Sequence, residues 1–499
     1  MSRPLICMTL TCDSLAENVE LVKKYEKEID LVELRVDFLN DDEQLFVRKF
    51  PSMINLPCIL TIRRDVDGGL FSGGEFSRTS LFARALAFAN QDTAKNFAYV
   101  DFEDDFNIPS IQDAALAFGT RIIRSHHNMS EPVYDIVEKC NSMRKTGFEI
   151  PKIAFMPKQL SDVTRLFQEG KKVQGDHILC AMGPEGMPSR ILSIFSNSYL
   201  TYISPKETMQ NVKEVRQLTP YEVNELYRFK SISENTKLFG LLGWPLVKTD
   251  SPVIHNFGYR KFGMDACYFP IRTPIVSDAL HFADYLNITG MSVTIPHKES
   301  VLYYLHEQSP EVVNIGACNT IVKRNNKWIG YNTDAYGFKR SLEEFIGDFK
   351  IKRKKVSVIG AGGAAKAIAY VLKQMGAKVC IFNRTVETAK NLAEKYGFQY
   401  CQLSQEAAPV IDEYSSLIIQ TTSVGMNSSG MSDETNDPIW FYNFHGNELV
   451  FDIVYNPAIT PIMRRASLAG CRVLNGYKML EYQAYMQFKL FTGKDYESE

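Results

Sequence analysis

The stretch Val356 to Thr385, VSVIGAGGAAKAIAYVLKQMGAKVCIFNRT, leaves few folds open to the chain that contains it. Val356 to Ile359 is a short β-branched run. Gly360, Gly362 and Gly363 follow where a chain must turn sharply and let a phosphate approach bare backbone, and Ala364, Ala365, Ala367 and Ala369 then favour a helix. The first turn of such a helix presents free N–H groups and a positive dipole end to a pyrophosphate. A second strand, Lys378 to Phe382, leads to Asn383, Arg384 and Thr385, where an NAD site would carry Asp or Glu for the ribose 2′-hydroxyl. A guanidinium suits a 2′-phosphate, so the expected cofactor is NADP(H). The alternative is a βαβ unit whose glycine turn holds no nucleotide.

At 499 residues the chain has room for roughly three domains. Apolar and charged contents of 45% and 23% are ordinary for soluble protein, and a net charge of −2 gives no reason to expect nucleic acid or an anionic membrane as partner. Ten cysteines are scattered without a C-x-x-C pair, several of them (Cys7, Cys180, Cys380) inside apolar runs. They read as reduced thiols, not as a disulfide framework or a metal site. The start, MSRPLICMTLTC, resembles neither a signal peptide nor a transit segment, and no long uncharged apolar run follows. The expectation is a cytoplasmic, monomeric enzyme acting on small molecules without a metal.

From Leu5 to about Ile203 short apolar runs alternate with helical stretches. Eight strands are expected: Leu5 to Thr11, Leu31 to Val36, Cys58 to Ile62, Tyr99 to Glu103, Arg121 to Ser125, Lys152 to Met156, Ile178 to Met182 and Leu200 to Ile203. Eight βα units in this length point to a closed parallel barrel with its site at the C-terminal strand ends. Polar residues gather there: Glu33, Arg35 and Asp37; Arg63 and Asp67; Asp101 and Glu103; His126 and His127. Lys152 begins the apolar run KIAFM. Held inside a barrel it would be a desolvated amine able to attack a ketone; at a strand end in solvent it would do nothing. A histidine just past a strand can carry the protons such chemistry needs, or merely cap a loop.

ELRVDFL, TIRRDVDGG, RSHHN, PKIAFMP and GPEGMPSR, in this order, resemble the type I 3-dehydroquinate dehydratases over nearly all of residues 1 to 225. The resemblance implies that Lys152 forms an imine with the substrate ketone and that His127, rather than His126, shuttles protons. It assigns Glu33, Arg35, Arg63, Arg190 and Gln210 to the substrate. Asp67 stands where the family usually has Glu. The family's Ser-Ala-Pro-Gly-Gln lid is Lys206, Glu207, Thr208, Met209 and Gln210 here, which keeps only the glutamine.

Thr219 and Pro220 read as the cap and first residue of a helix to about Phe229, and Ser231 to Thr236 as a short connector before the apolar run Leu238 to Leu242. Beyond it SPVIHN, GMSVTIPHK, GACNTI and GYNTDAYGF place polar residues at strand ends beside glycine or proline. Ketone reduction needs a proton donor near the forming alkoxide, and an amine oriented by a carboxylate, such as Lys298 with Asp334, can provide it. A lysine after Ile-Pro-His can equally be a solvated turn residue.

Together with GAGGAAKA, FNRT, TTSVGM and NGYKMLEYQA, these segments resemble shikimate dehydrogenase over about residues 237 to 499. That implies Lys298 and Asp334 as the catalytic pair; Thr249, Ser251, Thr294, Asn319 and Gln483 on substrate; and Gly360, Gly362, Gly363, Ala364, Asn383, Arg384, Thr385 and Gly425 on NADP(H). Thr249 takes the place of a usual Ser, Lys248 of a frequent His and Gln420 of a common Asn. The implied layout is α/β throughout. A (β/α)8 barrel (1–230) precedes an α/β substrate domain (237–335, completed by a C-terminal helix, 478–499) and a Rossmann NADP domain (336–477). The two resemblances concern consecutive steps, 3-dehydroquinate to 3-dehydroshikimate and then to shikimate, which implies a bifunctional enzyme of the shikimate pathway. A catabolic quinate dehydrogenase fusion and a non-catalytic quinate sensor are the alternatives. Arg384 argues against the first, retention of the four catalytic residues against the second.

Overall fold

The computed structural model describes residues 3–86, 92–212, 215–246, 249–426, 428 and 430–497; Lys248 lies outside them. Two compact units emerge, residues 1–239 with 259–287, and 240–258 with 288–499.

In the first unit eight parallel strands form one sheet: β1 (Leu5–Leu10), β2 (Leu31–Arg35), β3 (Cys58–Thr61), β4 (Tyr99–Glu103), β5 (Arg121–Asn128), β6 (Ile150–Phe155), β7 (Ile178–Ala181) and β8 (Leu200–Ile203). The order β7-β6-β5-β4-β3-β2-β1-β8 leaves a single seam. Across it the Tyr199 N–H donates to His177 O at 2.6 Å and the Leu179 N–H to Ser198 Oγ at 3.1 Å, so the expected closed barrel is nearly closed. Side chains alternate across a strand, and every second residue therefore points inward. The lowest inward layer is apolar, with Cys7, Leu31, Ile59, Tyr99, Ile123, Ile150, Ile178 and Leu200 in one core cluster that also takes in Tyr202. Burial of a Leu or Ile side chain of this kind contributes about 1.5–3 kcal/mol. Two residues further along the same strands stand Glu33, Thr61, Asp101, Ser125 and Lys152, all buried.

Two strands differ from expectation in a way that matters. β5 runs through His126 and His127 to Asn128 instead of stopping at Ser125, because its pairing with β6 continues to Asn128↔Phe155. β6 starts at Ile150, which makes Lys152 an interior strand residue paired with Ser125. The helix after Thr219 spans only 220–226, since Arg228 adopts a left-handed φ of 51°. The first unit also holds β10 (Ala266–Arg272), after β9 (Lys237–Gly243) has crossed the division.

In the second unit β11 (Gly290–Val293) pairs antiparallel with β13 (Thr320–Arg324), β13 antiparallel with β14 (Lys327–Tyr331), and β14 parallel with β12 (Glu307–Gln308). The parallel sheet that follows comprises β15 (Lys355–Ile359), β16 (Lys378–Asn383), β17 (Gln399–Gln402), β18 (Leu417–Gln420), β19 (Leu449–Asp452) and β20 (Arg472–Leu474). Its order, β17-β16-β15-β18-β19-β20, reverses direction at β15, where a doubly wound sheet opens its ligand crevice. The helix Gly363–Gln374 lays Ala365, Ile368, Ala369 and Leu372 on the buried Val356 and Val358, and the alanines allow that close packing. The C-terminal helix is Tyr477–Thr492; it ends earlier than the expected 478–499 because Gly493 turns the chain at φ 77°.

Candidate active sites

Lys152, 5% exposed, extends its Nζ to Asp101 Oδ2 at 2.8 Å and lies 3.6 Å from Glu33 Oε1. The same Nζ sits 4.3 Å above the centre of the Tyr202 ring. Arg63 ties this layer to the next, with 2.9 Å to Asp101, 2.8 Å to Glu103 and 3.0 Å to Ser125 Oγ. Burial works to raise the Asp101 carboxyl, but Arg63 and then Lys152 outweigh it and hold it far below the usual carboxylate range. Glu33 accepts from Thr9 at 3.2 Å and Thr61 at 3.0 Å.

The two histidines separate by strand alternation. His126 faces away, its Nδ1 3.2 Å from Asp104 Oδ2. His127 faces the cluster, and burial, then the positive Arg63 and Lys152, press it well below an ordinary histidine. Its Nδ1 is buried with no hydrogen-bond partner. Among the arginines, Arg35 commits its fork to Asp37 at 2.9 and 2.6 Å, whereas Arg190 gives one bond, 3.0 Å to Val215 O, and keeps a buried Nε without partner. Asp67 turns to Arg64 at 2.6 Å. In the lid segment Lys206–Val212, Gln210 is exposed, Thr208 buries an unpartnered Oγ1, and Glu207 is ion-paired to Lys24 and lies 3.2 Å from Tyr25 Oη.

In the second unit Lys298 Nζ meets Asp334 Oδ2 at 2.5 Å. The Asn319 amide donates to Asp334 Oδ1 at 2.9 Å, Thr333 Oγ1 at 2.9 Å and Gln483 Oε1 at 3.3 Å, so the C-terminal helix does return Gln483 to this cluster. One turn along that helix Gln487 accepts from Ser292 Oγ at 2.8 Å and donates to Thr320 Oγ1 at 3.0 Å. The hydroxyls of Thr249 and Ser251 lie 3.2 Å apart, and the Thr294 N–H donates to Leu242 O at 2.9 Å.

The glycine turn takes the form its sequence requires. Gly360 has φ 109°, and a Cβ there would meet Thr421 Oγ1 at 2.5 Å; a Cβ on Gly362 would stand in open space. One on Gly363 would come to 3.3 Å of Lys298 Cδ, which sets the turn beside the Lys298–Asp334 pair. Ala364 is the second residue of the helix; Gly425, φ 91°, turns the chain beyond β18, where the buried Gln420 amide donates to Thr422 O and Val424 O at 3.1 and 3.0 Å. Asn383 braces Thr385 O at 3.0 Å, and Arg384 between them is exposed. Open space before the turn, free helix N–H groups and a guanidinium at the end of β16 fit a dinucleotide with a 2′-phosphate.

Residues 6–234 match the family description type I 3-dehydroquinase, residues 241–321 the shikimate dehydrogenase substrate binding domain, and residues 342–432 shikimate/quinate 5-dehydrogenase. The chain is 34% identical, over 98% of its length and 82% of the relative's, to the chloroplastic bifunctional 3-dehydroquinate dehydratase/shikimate dehydrogenase of Arabidopsis thaliana. The chain belongs to that bifunctional family. It is also 38% identical to the shikimate dehydrogenase (NADP(+)) of Pyrococcus furiosus, over 54% of this chain and 94% of the relative. A solved shikimate dehydrogenase from Aquifex aeolicus is similar over 53% of this chain and 95% of its own, at 33% identity and a TM-score of 0.48.

Within this bifunctional dehydratase/dehydrogenase architecture, the structure adds residues to which the sequence assigned no catalytic or binding role, although Asp101 stood among the polar strand ends. Asp101 and Ser125 are legible as inward strand positions; Thr333 neighbours Asp334, and Gln487 shares a helix face with Gln483. Tyr202 had no signal beyond an aromatic on a core strand. Among the described residues no group of three or more His, Cys, Asp or Glu could hold a metal, and no helix is long and apolar enough to cross a membrane.

Proposed function

We propose that the barrel dehydrates 3-dehydroquinate to 3-dehydroshikimate through an imine on Lys152, and that the second unit reduces that product to shikimate with NADPH. The observation that carries the reading is a buried or half-buried lysine on an aspartate in each unit, Lys152 on Asp101 and Lys298 on Asp334. In the barrel the Lys152 ammonium hands one proton to His127, the freed amine adds to the ketone carbon, and the oxygen leaves as water with that proton and one from the nitrogen, giving a protonated imine. This cation draws electrons from the adjacent C–H bond; His127, held neutral, takes the proton, and the β-hydroxyl then leaves with a proton. Hydrolysis of the imine returns Lys152, and the balance is the loss of one water. Asp101, held anionic, steadies positive charge on the Lys152 nitrogen throughout. Arg190, with donors to spare, suits the substrate carboxylate, while Arg63 fixes Asp101 and Glu103, and Glu33 and Arg35 line the pocket. Gln210 would reach the substrate from the lid segment.

In the second unit Lys298 delivers a proton to the carbonyl oxygen as it becomes an alkoxide, and Asn319 keeps Asp334 aligned to orient it. Thr249, Ser251, Thr294 and Gln483 would hold the substrate's hydroxyls and carboxylate. NADPH, when bound, supplies the hydride; Gly360, Gly362, Gly363 and Ala364 would hold its pyrophosphate, Asn383, Arg384 and Thr385 its 2′-phosphate, and Gly425 the nicotinamide side. The work divides as 1–230 for dehydration, 237–335 with 478–499 for the reductase substrate, and 336–477 for cofactor. The ten free thiols suit a cytoplasmic protein, and the proposed form is a monomer.

Borohydride added with 3-dehydroquinate should leave a reduced adduct on Lys152; peptide mapping that finds none, or finds it on another lysine, rules the imine out. With 3-dehydroshikimate the protein should consume NADPH faster than NADH, and Arg384→Ala should narrow that preference. An unchanged preference would remove Arg384 from the 2′-phosphate site.

A further inference from the structure

Tyr202 packs with the apolar cluster at the base of the barrel, two residues beyond Leu200 and beside Cys7 on the neighbouring strand. Its hydroxyl is buried with no hydrogen-bond partner, and burial, then Glu33, push the phenol well above its ordinary range, so it stays neutral. A buried phenol left unpaired costs about 1–3 kcal/mol, so a hydrogen bond is not what the side chain contributes here. What it offers instead is its face. The Lys152 Nζ lies over the ring at 4.3 Å, on a nitrogen whose other close partners are the carboxylates of Asp101 and Glu33. A cation is attracted to the negative face of an aromatic ring, most strongly where water is excluded.

Three partners thus surround one nitrogen, and they differ in chemistry. The carboxylates attract positive charge and also compete for an N–H. The ring attracts the charge without accepting a proton. After an amine becomes a protonated imine it retains a single N–H, so it can satisfy fewer acceptors than the ammonium did. The π-face loses nothing in that change, because it needs no hydrogen.

We infer that Tyr202 is a positioning residue for the dehydratase, its ring face being the seat on which the Lys152 nitrogen rests as ammonium and then as protonated imine. The inference rests on the imine reading proposed above. The ring acts through Lys152 and need not touch substrate, so its effect belongs on the rate of imine-dependent dehydration.

The test varies the π-face while keeping ring size. In the full chain, Tyr202→Phe is the reference, and phenylalanines bearing one, two and three ring fluorines at position 202 withdraw the negative face stepwise. The single-turnover rate at which 3-dehydroquinate becomes trappable by borohydride on Lys152 should fall with each fluorine, by about tenfold in all. Tyr202→Phe should recover most of the kcat that Tyr202→Leu loses. NADPH-dependent reduction of 3-dehydroshikimate in the same samples reports that the protein is folded. A flat fluorine series, or a Tyr202→Phe variant as slow as Tyr202→Leu, overturns the inference while leaving the imine reading intact. An unmodified Lys152 in the parent protein ends the imine reading, and this inference with it.

Discussion

Asn319 divides one amide group among Asp334, Thr333 and Gln483, and this is how the carboxylate facing Lys298 is aimed. Asn319→Ala should therefore cut kcat/KM for 3-dehydroshikimate reduction by roughly 10²-fold, about 2.7 kcal/mol of transition-state stabilisation, with the dehydratase rate unmoved. Steady-state assays of both reactions on one sample check it. Gln487 tests packing of the same cluster: Gln487→Leu keeps the volume but strands Ser292 Oγ, while Thr320 Oγ1 keeps its 2.9 Å bond to Asn319 Oδ1, a cost of about 1–3 kcal/mol that a lowered thermal midpoint would show. In the barrel the neutral His127 makes a pH prediction. Because its proton affinity is pressed down, dehydration should not fall as pH drops through 6.5, where an ordinary histidine takes up a proton; a rate profile breaking there would contradict the burial and the positive neighbours. Much of this was legible in sequence, since Asn319, Gln483 and His127 stand in motifs with recognisable order. Tyr202 was not, because its ring reaches Lys152 only through the β1–β8 pairing, a contact between distant parts of the chain.

At the scale of elements, the turn after β19 rests on Asp452, whose Oδ1 accepts from the Val454 N–H at 2.9 Å and Oδ2 from Thr460 Oγ1 at 2.6 Å. Thr460 in turn caps the helix Pro461–Leu468. Burial raises this carboxyl from 3.8 to about 7, and nearby Asp437, itself paired with Arg465 at 2.8 Å, adds to the rise. The folded chain therefore keeps a proton that the unfolded chain releases above pH 3.8, so stability is lost as pH climbs from there towards 7. Asp452→Asn cannot titrate. Its thermal midpoint should gain on the parent's across that window, by the equivalent of about 4 kcal/mol between pH 3.8 and neutral pH, and parallel curves would show that Asp452 does not titrate in the fold. The elements themselves were read well where alternation or a glycine turn marked them, as along the barrel strands and from β15 to β16. Their ends were not, because the extension of β5 through His127 comes from pairing with β6, and pairing partners are invisible to a local pattern.

For the whole molecule the telling fact is that each lysine, with the groups that serve it, lies within one unit: Lys152, Asp101, His127 and Tyr202 in residues 1–239, and Lys298, Asp334, Asn319 and Gln483 in 240–258 with 288–499. No residue is shared, so the two activities should be separable by single substitutions. Lys152→Ala should abolish dehydration and leave NADPH-dependent reduction of 3-dehydroshikimate at the parent rate; Lys298→Ala should do the reverse, with reduction falling by about 10²–10⁴-fold. Given 3-dehydroquinate and NADPH, neither variant alone should consume NADPH appreciably. Mixed, they should, once the product of one has diffused to the other: more of the Lys298→Ala variant, which supplies the intermediate, should raise the steady rate, and more of the Lys152→Ala variant, which consumes it, should shorten the lag. A mixture that stayed silent would mean that the intermediate cannot leave one chain and enter another, while loss of both activities in either variant would mean that the sites depend on one another despite sharing no residue.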